Sequence, residues 1–239
     1  MIVDSSALPE QVVIDATTSA FDSAGQRCSA LRLLYLQDDI ADRLLAMLTG
    51  AMAELAIGDP ALLATDIGPV IDAAARAALE RHSVRMAQDG RLLCQCPLPW
   101  TEHGTFFAPR MFEIDSARRL EREVFGPILH VVRWRADRLD AIVDEVAATG
   151  YALTLGIHSR IDETVGRIVA RLGVGNTYVN RNMIGAVIGA QPFGGERLSG
   201  TGPKAGGPRY LPRFAAERVI STDTTAAGGN ASLLSLRER

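Results

Sequence analysis

The residue best suited to covalent chemistry is Cys28, which lies in the polar segment Gly25–Ser29 between a predicted helix and a predicted strand. A thiol at such a break is accessible to solvent. Arg27 and the amides of the loop would favour its reactive thiolate form. Cys28 is therefore a candidate nucleophile. The alternative is a small, partly buried structural cysteine, which is the commoner role of a free thiol.

Glu123 is the second candidate, because it opens the turn Glu123–Pro127 directly before a predicted strand. A carboxylate held by such a turn can accept hydrogen bonds from sugar hydroxyls. Neighbouring Glu113 and Glu121 have the character of solvated surface glutamates, and Glu123 considered alone could be another. Its importance depends on whether it shares a site with Cys28.

Other reactive residue types give weaker signals. Cys94 and Cys96 alternate along a predicted strand and share a face, but two sulfurs without a histidine pair do not predict zinc binding. Lys204 is the only lysine, and its Gly-rich surroundings make Schiff-base chemistry a poor hypothesis. The histidines lack metal-ligand spacing, so no metal site is predicted. They are His82, His103, His130 and His158.

One glycine motif matches a dinucleotide-binding fingerprint only formally. Gly200–Ala205 has the required spacing, but it contains a proline and has no predicted strand before it, so we do not interpret it as a nucleotide site. The chain contains neither a Walker-type phosphate loop nor a Gly-x-Ser-x-Gly elbow.

The elements that must position these residues alternate between helical and strand periodicity, which predicts an α/β fold with an open parallel sheet covered by helices. Beyond Asn180 a Gly-rich C-terminal segment follows, which is typical of binding loops. Helices are predicted over 8–23, 38–55 and 73–87 and after Asp137 and Asp162. Strands are predicted over 30–36, 91–96, 105–112, 128–134, 152–158, 174–180 and 218–221.

The composition of the 239 residues, with 47% apolar and 22% charged side chains, is that of a globular protein. A net charge of −3 gives no support for nucleic-acid binding through bulk electrostatics. No stretch reaches the roughly 18 to 20 apolar residues of a membrane span. Three cysteines do not form a disulfide framework, so a reducing cytoplasmic location is expected.

Four motifs in this order resemble the catalytic half of the NAD-dependent aldehyde dehydrogenases. They are Gly25–Ala30, Glu123–Pro127, Asn176–Asn180 and Gln191–Gly195. Residues 181–186, 200–207 and 226–232 are most similar to one branch, the glutamate-γ-semialdehyde (pyrroline-5-carboxylate) dehydrogenase part of bifunctional proline utilisation proteins. The resemblance implies a catalytic domain over 1–207 and a C-terminal arm over 208–239 that carries a candidate oligomerisation strand.

On the cofactor side, the resemblance implies that Cys28 is the nucleophile that forms a thiohemiacetal and then a thioester, with NAD accepting the hydride. The Cys28 N–H would face the oxyanion. Glu123 matches the carboxylate that binds the nicotinamide ribose, and Phe125 matches the aromatic residue beside the cofactor.

On the substrate side, the resemblance implies a small aldehyde that carries a carboxylate. Ser29 and the amides of Gly185 and Ala186 match the groups that anchor this carboxylate. Phe193 matches an aromatic residue that packs against the aliphatic chain of the aldehyde.

Members of this family are far longer than this chain. Their nucleotide-binding domain, the glutamate that activates the deacylating water and the asparagine of the oxyanion hole all precede the matched segment. The general base therefore has no residue here, and NAD versus NADP stays open. The sequence predicts the catalytic portion of the enzyme, which alone would turn over poorly because nicotinamide placement is incomplete. Flavin and operator binding are not expected of it.

Two alternatives from other functional classes remain open at this point. The first is a non-catalytic remnant that acts in assembly, either as a homo-oligomer or by association with the missing domain. The second is a cysteine hydrolase or acyltransferase, which would need a histidine base close to Cys28.

Overall fold

The computed structural model describes residues 1–98 and 104–223. Its strands are Ile2–Val3 (β1), Leu33–Gln37 (β2), Arg91–Gln95 (β3), Arg110–Glu113 (β4), Ile128–Trp134 (β5), Tyr151–Ala152 (β6), Thr154–His158 (β7), Asn176–Val179 (β8) and Glu196–Arg197 (β9). Seven of them form one sheet in the order β3-β4-β5-β2-β1-β7-β8, and β6 pairs with β9. Pairing in the large sheet is parallel except at the β3–β4 edge. The predicted open parallel α/β sheet is therefore confirmed.

The helices begin where acidic residues or proline favour a helix N-terminus. They are Pro9–Phe21 (α1), Asp38–Ala53 (α2), Ala73–Asp89 (α3), Leu139–Ala148 (α4) and Asp162–Arg171 (α5). Pro9 occupies the first turn of α1, and Asp38 the first turn of α2. The Asp72 carboxylate caps α3 by accepting a hydrogen bond from Ala75 N at 2.7 Å. The five predicted helices are confirmed.

The core lies between the central strands and the helices that cover them. β5 is buried along nearly its whole length, as expected for a strand covered on both faces. α1 packs against α2, and both contact β5. The apolar stripe of α1, including Val12 and Ala16, and that of α2, including Leu44 and Leu48, is fully buried.

One central strand was missed by the sequence pattern. β1 lies between β2 and β7, and Ile2 and Val3 are fully buried there. The Met1 amine donates to Leu33 O at 2.7 Å, and burial lowers the pKa of this amine to about 5. Two residues are too few to show a strand period, so only the neighbouring strands define β1.

Several predicted boundaries were wrong. The strand predicted over 30–36 begins only at Leu33, because Arg27–Ala30 form a turn and residues 31–32 are irregular. The one predicted over 105–112 begins at Arg110. The stretch predicted over 152–158 is divided between β6 and β7. No strand forms over Arg218–Ser221, whose residues are exposed and unpaired by any described strand. β9, just before Gly200, was not predicted.

The chain divides into two compact units, Met1–Gly207 and Pro208–Arg239. In the second, Leu211–Phe214 forms a short 3₁₀ turn, and the Tyr210 and Phe214 rings meet edge to face at 5.4 Å. His103 and the motif over 226–232 lie outside the described residues. Within residues 1–98 and 104–223, every helix is too short or too polar to cross a bilayer.

Candidate active site

The two best candidate residues reach the sheet at the same edge. β2 and β5 are parallel neighbours, with Leu33 opposite His130. Cys28 lies just before β2, and Glu123 lies just before β5. Because neighbouring parallel strands begin at one edge, the loops that carry these residues are brought together despite their separation in the chain.

Cys28 and Glu123 line one cleft with a volume of about 340 Å³. Both residues are exposed. The cleft has a mixed lining, with apolar side chains and a few polar ones, which is typical of small-molecule sites. Besides these two, its lining includes Leu31, Arg32, Tyr35, Glu121, Val124, Thr154, Leu155 and Met183. The arrangement offers a nucleophile and a carboxylate acceptor on one surface.

The backbone that leads to Cys28 is strained. Ser23, Ala24 and Gly25 all have positive φ angles, of 58°, 53° and 63°. Such conformations of non-glycine residues cost on the order of 1 kcal/mol each, and they are often found beside functional groups. A Cβ on Gly25 would lie 2.4 Å from Gly126 O. Glycine is therefore required where the Cys28 loop meets the Glu123–Pro127 turn.

Arg32 joins the same two loops by hydrogen bonds. Its Nη1 donates to Gly126 O at 2.7 Å. Its Nη2 donates to Gly25 O at 2.5 Å and to Arg27 O at 3.2 Å. Burial lowers the pKa of the Arg32 guanidinium to about 10, while the charges of Glu123 and Cys28 raise it. A cation therefore lies within electrostatic reach of both candidate residues.

Arg32 was missed among the predicted site residues, where Arg27 was expected to supply positive charge. Arg27 Nε instead donates to Ser23 Oγ at 2.9 Å, within its own loop. A usable signal for Arg32 was present, since it is a lone basic residue directly before the apolar start of β2.

The predicted substrate-side residues are placed differently from Cys28. None of Ser29, Gly185, Ala186 and Phe193 lines the cleft that holds Cys28 and Glu123. Ser29 is buried, and Gly185 has a φ of 71°. Phe193 is half-buried and exchanges two backbone hydrogen bonds with Ala205, at 3.0 and 2.9 Å. These four residues therefore lie outside the lining that Cys28 shares with Glu123.

Phe125, expected beside a cofactor, is 46% exposed. Its ring centroid lies 5.4 Å from Cζ of Arg32, within the range of a cation–π contact. Phe125 thus belongs to the same local cluster as Arg32, although it does not line the cleft.

A pair of histidines, buried His130 and half-buried His82, contacts Arg32 at this edge. Nε2 of His130 lies 2.8 Å from Nε2 of His82, and Nδ1 of His130 lies 3.0 Å from Arg32 O. Arg85 Nη2 lies 3.4 Å from Nδ1 of His82. All three contacts are satisfied when Arg85 donates to His82, His82 donates to His130, and His130 donates to Arg32 O. Burial lowers the pKa of His82 to about 4 and that of His130 to about 3, so both rings are neutral.

The remaining reactive groups have structural partners. His158 is buried, with its Nε2 3.5 Å from Asp15 Oδ2. Cys96 is buried and its Sγ donates to Met52 O at 3.1 Å. Lys204 Nζ donates to a backbone carbonyl, which makes it a poor Schiff-base amine. In the described part of the chain, no three His, Cys, Asp or Glu side chains cluster as metal ligands.

The sequence pattern of the aldehyde dehydrogenase family matches residues 1–220. The chain belongs to the aldehyde dehydrogenase family. Among curated relatives of this aldehyde dehydrogenase chain, the bifunctional protein PutA of Klebsiella aerogenes is 58% identical over 224 residues. The 1-pyrroline-5-carboxylate dehydrogenase of Geobacillus thermodenitrificans is 35% identical over 213 residues. The resemblance predicted from the motifs is thereby confirmed.

The matches to longer aldehyde dehydrogenases cover only part of each relative. The alignment with PutA covers 91% of this chain and 17% of that protein, and the alignment with the Geobacillus enzyme covers 88% and 41%. A crystal structure of the bifunctional proline utilization A (PutA) protein superposes with a TM-score of 0.89 at 56% identity, over 95% of this chain and 23% of the other. The chain therefore spans less than half the length of each of these relatives.

Proposed function

We propose that this chain is the catalytic-domain portion of an L-glutamate-γ-semialdehyde dehydrogenase, which oxidises the semialdehyde to glutamate with NAD in proline catabolism. The observation that carries the proposal is that Cys28 and Glu123 line one cleft. The similarity to PutA and to 1-pyrroline-5-carboxylate dehydrogenase supports the substrate class. We also propose a cytoplasmic location.

In this proposal the Cys28 thiolate attacks the aldehyde carbon. A carbon–sulfur bond forms, the carbonyl electron pair moves to oxygen, and the Cys28 N–H donates to the resulting oxyanion of the thiohemiacetal. When the oxyanion collapses, the C–H bond breaks, hydride leaves, and a thioester remains on Cys28. Water then cleaves the thioester, releasing a carboxylate and the thiol. Bound NAD would supply the hydride acceptor.

The residues present fit such a cofactor at one end. The two oxygens of the Glu123 carboxylate can accept hydrogen bonds from the two hydroxyls of a ribose, and Glu123 is exposed in the Cys28 cleft. Phe125 offers an exposed aromatic ring on the same turn. We propose both as cofactor-binding residues.

We propose the substrate carboxylate site at Ser29, Gly185 and Ala186, with Phe193 against the aliphatic chain. Backbone amides in a glycine-containing turn are suitable anion donors, and the positive φ of Gly185 is typical of such turns. In the longer relatives, the general base and the second oxyanion donor would lie outside the segment that matches this chain.

Protection of Cys28 against alkylation tests the proposal directly. The chain is treated with iodoacetamide, with and without glutamate-γ-semialdehyde, and each cysteine peptide is quantified by mass spectrometry. We expect the semialdehyde to slow alkylation of Cys28 and to leave half-buried Cys94 unaffected, because only Cys28 forms a thiohemiacetal. Equal alkylation of Cys28 with and without the aldehyde would refute the proposal.

Glu123 is tested against its neighbour Glu121, which lines the same cleft but pairs with Arg85 at 3.0 Å. Saturation-transfer NMR with NAD measures contact of the nicotinamide ribose protons with the chain. Glu123→Gln should reduce this signal, whereas Glu121→Gln should leave it unchanged. Equal reductions in both variants would argue against a specific ribose contact.

A second candidate function is assembly through the C-terminal arm, which is favoured by the exposure of Val219 (90%) and Ile220 (74%). Sedimentation velocity across concentrations measures self-association of the full chain. Val219→Asp with Ile220→Asp should weaken association, while Ile188→Asp, at an exposed site in the first unit, should not. A monomeric wild-type chain at all concentrations would exclude this function.

A further inference from the structure

We propose that Arg32 is a positioning residue, which fixes the Cys28 loop against the Glu123–Pro127 turn so that thiol and carboxylate face the same cleft. The inference rests on the proposed function, because it explains how the nucleophile and the ribose-binding carboxylate keep their relative position. Arg32 itself is not proposed to bind substrate.

The geometry of the guanidinium suits this task. Its planar group donates in two directions, with Nη1 bonded to Gly126 O and Nη2 bonded to Gly25 O and Arg27 O. Its acceptors belong to both loops, and each is a backbone carbonyl. Lysine, a single point charge without a planar fork, could not hold both sides in the same way.

Arg32 also differs from the arginines that neutralise acids in this protein. Arg133, for example, forms ion pairs with Asp42 at 2.7 Å and with Glu113 at 3.0 Å. Within residues 1–98 and 104–223, no carboxylate lies at ion-pair distance from Arg32, and its buried Nε has no hydrogen-bond partner. Its positive charge is therefore directed toward the loops and the cleft rather than at a paired acid.

The position of Arg32 is itself fixed. Its carbonyl accepts hydrogen bonds from His130 N and from Nδ1 of His130, both at 3.0 Å. Its guanidinium lies against the Phe125 ring. The Arg32 backbone is fixed and its guanidinium bonds both loops. Arg32 therefore couples the pairing of β2 and β5 to the relative positions of Cys28 and Glu123.

A fluorine-labelled thiol measures this coupling. In a Cys94→Ala background, Cys28 is alkylated with bromotrifluoroacetone, and the ¹⁹F shift is recorded with and without Glu123→Gln. The Glu123-dependent change in shift should be clear with Arg32 present and largely lost in Arg32→Lys. Arg27→Lys is the matched control, because the Arg27 side chain donates to Ser23 Oγ in its own loop, and it should keep the change. Equal changes in the Arg32→Lys and Arg27→Lys proteins would overturn the inference.

The rate of Cys28 alkylation provides a second readout. Three hydrogen bonds from the charged Arg32 group hold the Cys28 loop, so their loss in Arg32→Gln should displace the loop and change the rate of Cys28 alkylation at neutral pH by about tenfold. Arg27→Gln should change it less than about twofold. Unchanged alkylation in Arg32→Gln would count against the inference.

If circular dichroism shows that the Arg32 variants do not fold, the wild-type chain still decides. The Arg32 Nη protons, assigned through their proximity to the Phe125 ring, should exchange slowly with water and shift when Cys28 is alkylated. Fast exchange like that of exposed Arg135 would overturn the inference. Semialdehyde protection of Cys28 in the wild-type chain tests the proposed function separately, so failure of one proposal is distinguishable from failure of the other.

Discussion

The parallel strands of the central sheet begin at one edge, the amino-terminal edge, and end at the other, the carboxyl-terminal edge. The polar groups at these two edges differ in burial and in hydrogen bonding. At the edge where β2 and β5 begin, Cys28 and Glu123 are exposed and Nε of Arg32 has no partner. At the edge where β1 and β7 end, Asp4 and Ser159 are buried and bonded to each other at 2.5 Å.

At the carboxyl-terminal edge, Asp4, Ser6, Ser159 and Asn180 form a hydrogen-bond network. Asp4 accepts from Ser6 N at 2.8 Å and from Ser6 Oγ at 2.5 Å, in addition to Ser159 Oγ. The Asn180 side chain bonds the Ser159 backbone in both directions, at 3.0 and 2.9 Å. Ligands of parallel α/β sheets commonly bind at this edge. Here, the exposed thiol and carboxylate at the opposite edge identify the candidate site better than topology does.

The largest difference between the edges should appear in acyl transfer from p-nitrophenyl acetate. Cys28→Ala should lower the acylation rate at least about a thousandfold, because the thiolate forms the new bond. Ser159→Ala should change it less than about twofold. Release of p-nitrophenolate and the mass of the acetylated protein measure both, and similar rates in the two variants would remove the distinction.

The carboxyl-terminal edge should matter for stability instead. Asp4→Ala leaves two serine hydroxyls without their charged acceptor, which should lower the free energy of unfolding by about 3 kcal/mol. Urea denaturation measures this change, and Asp137→Ala, at an exposed ion pair, should cost less than about 0.5 kcal/mol. Alkylation of Cys28 below the unfolding transition should be unaffected. A slower alkylation in folded Asp4→Ala would link the two edges.

The close approach of the two loops is tested at Gly25. Gly25→Ala should lower the free energy of unfolding by about 2 kcal/mol, because it combines a positive φ with a Cβ against Gly126 O. Gly50→Ala is the matched control, because Gly50 lies inside α2 with open space around it. This substitution should raise the free energy of unfolding by about 0.5 to 1 kcal/mol. Loss of stability in both variants would contradict the assigned contact.

The histidine pair beneath the amino-terminal edge should make stability depend on pH. The folded pKa values of His82 and His130, about 4 and about 3, lie below the unfolded value of 6.5. The unfolded state therefore binds more protons between these values, and stability falls as pH drops from about 6.5 toward 4, by up to about 1.4 kcal/mol per pH unit for buried His130 and by less for half-buried His82. Denaturation at several pH values should show a shallower slope in His82→Gln. An identical slope would exclude this pair as its source.

The elements with strong periodicity were predictable from the sequence. α4 and α5 follow Asp137 and Asp162 as expected, and β5 has the predicted bounds over Ile128–Trp134. Each of these segments carries enough apolar residues at a regular spacing to define its type without its neighbours. The family was also predictable, because its motifs occur in order along the chain.

The site depended on information that local periodicity does not contain. The bond from Arg32 to Gly126 O joins residues 94 positions apart and exists only because β2 and β5 are neighbours. β1 was missed because its two residues show no period. The Arg32–Gly126 bond and β1 are defined only by contacts between distant parts of the chain. For the same reason, the sequence identified Cys28 and Glu123 as candidates but could not show that they share a cleft.

The central claim is that Cys28 captures a carbonyl carbon, and ¹³C NMR tests it most directly. Glutamate-γ-semialdehyde labelled at its aldehyde carbon is added to the chain. The account predicts a new protein-bound resonance in the range of a carbon bonded to both oxygen and sulfur, which is absent in Cys28→Ala. A spectrum in which the labelled carbon gives the same signals with the wild-type chain and with Cys28→Ala would contradict the account.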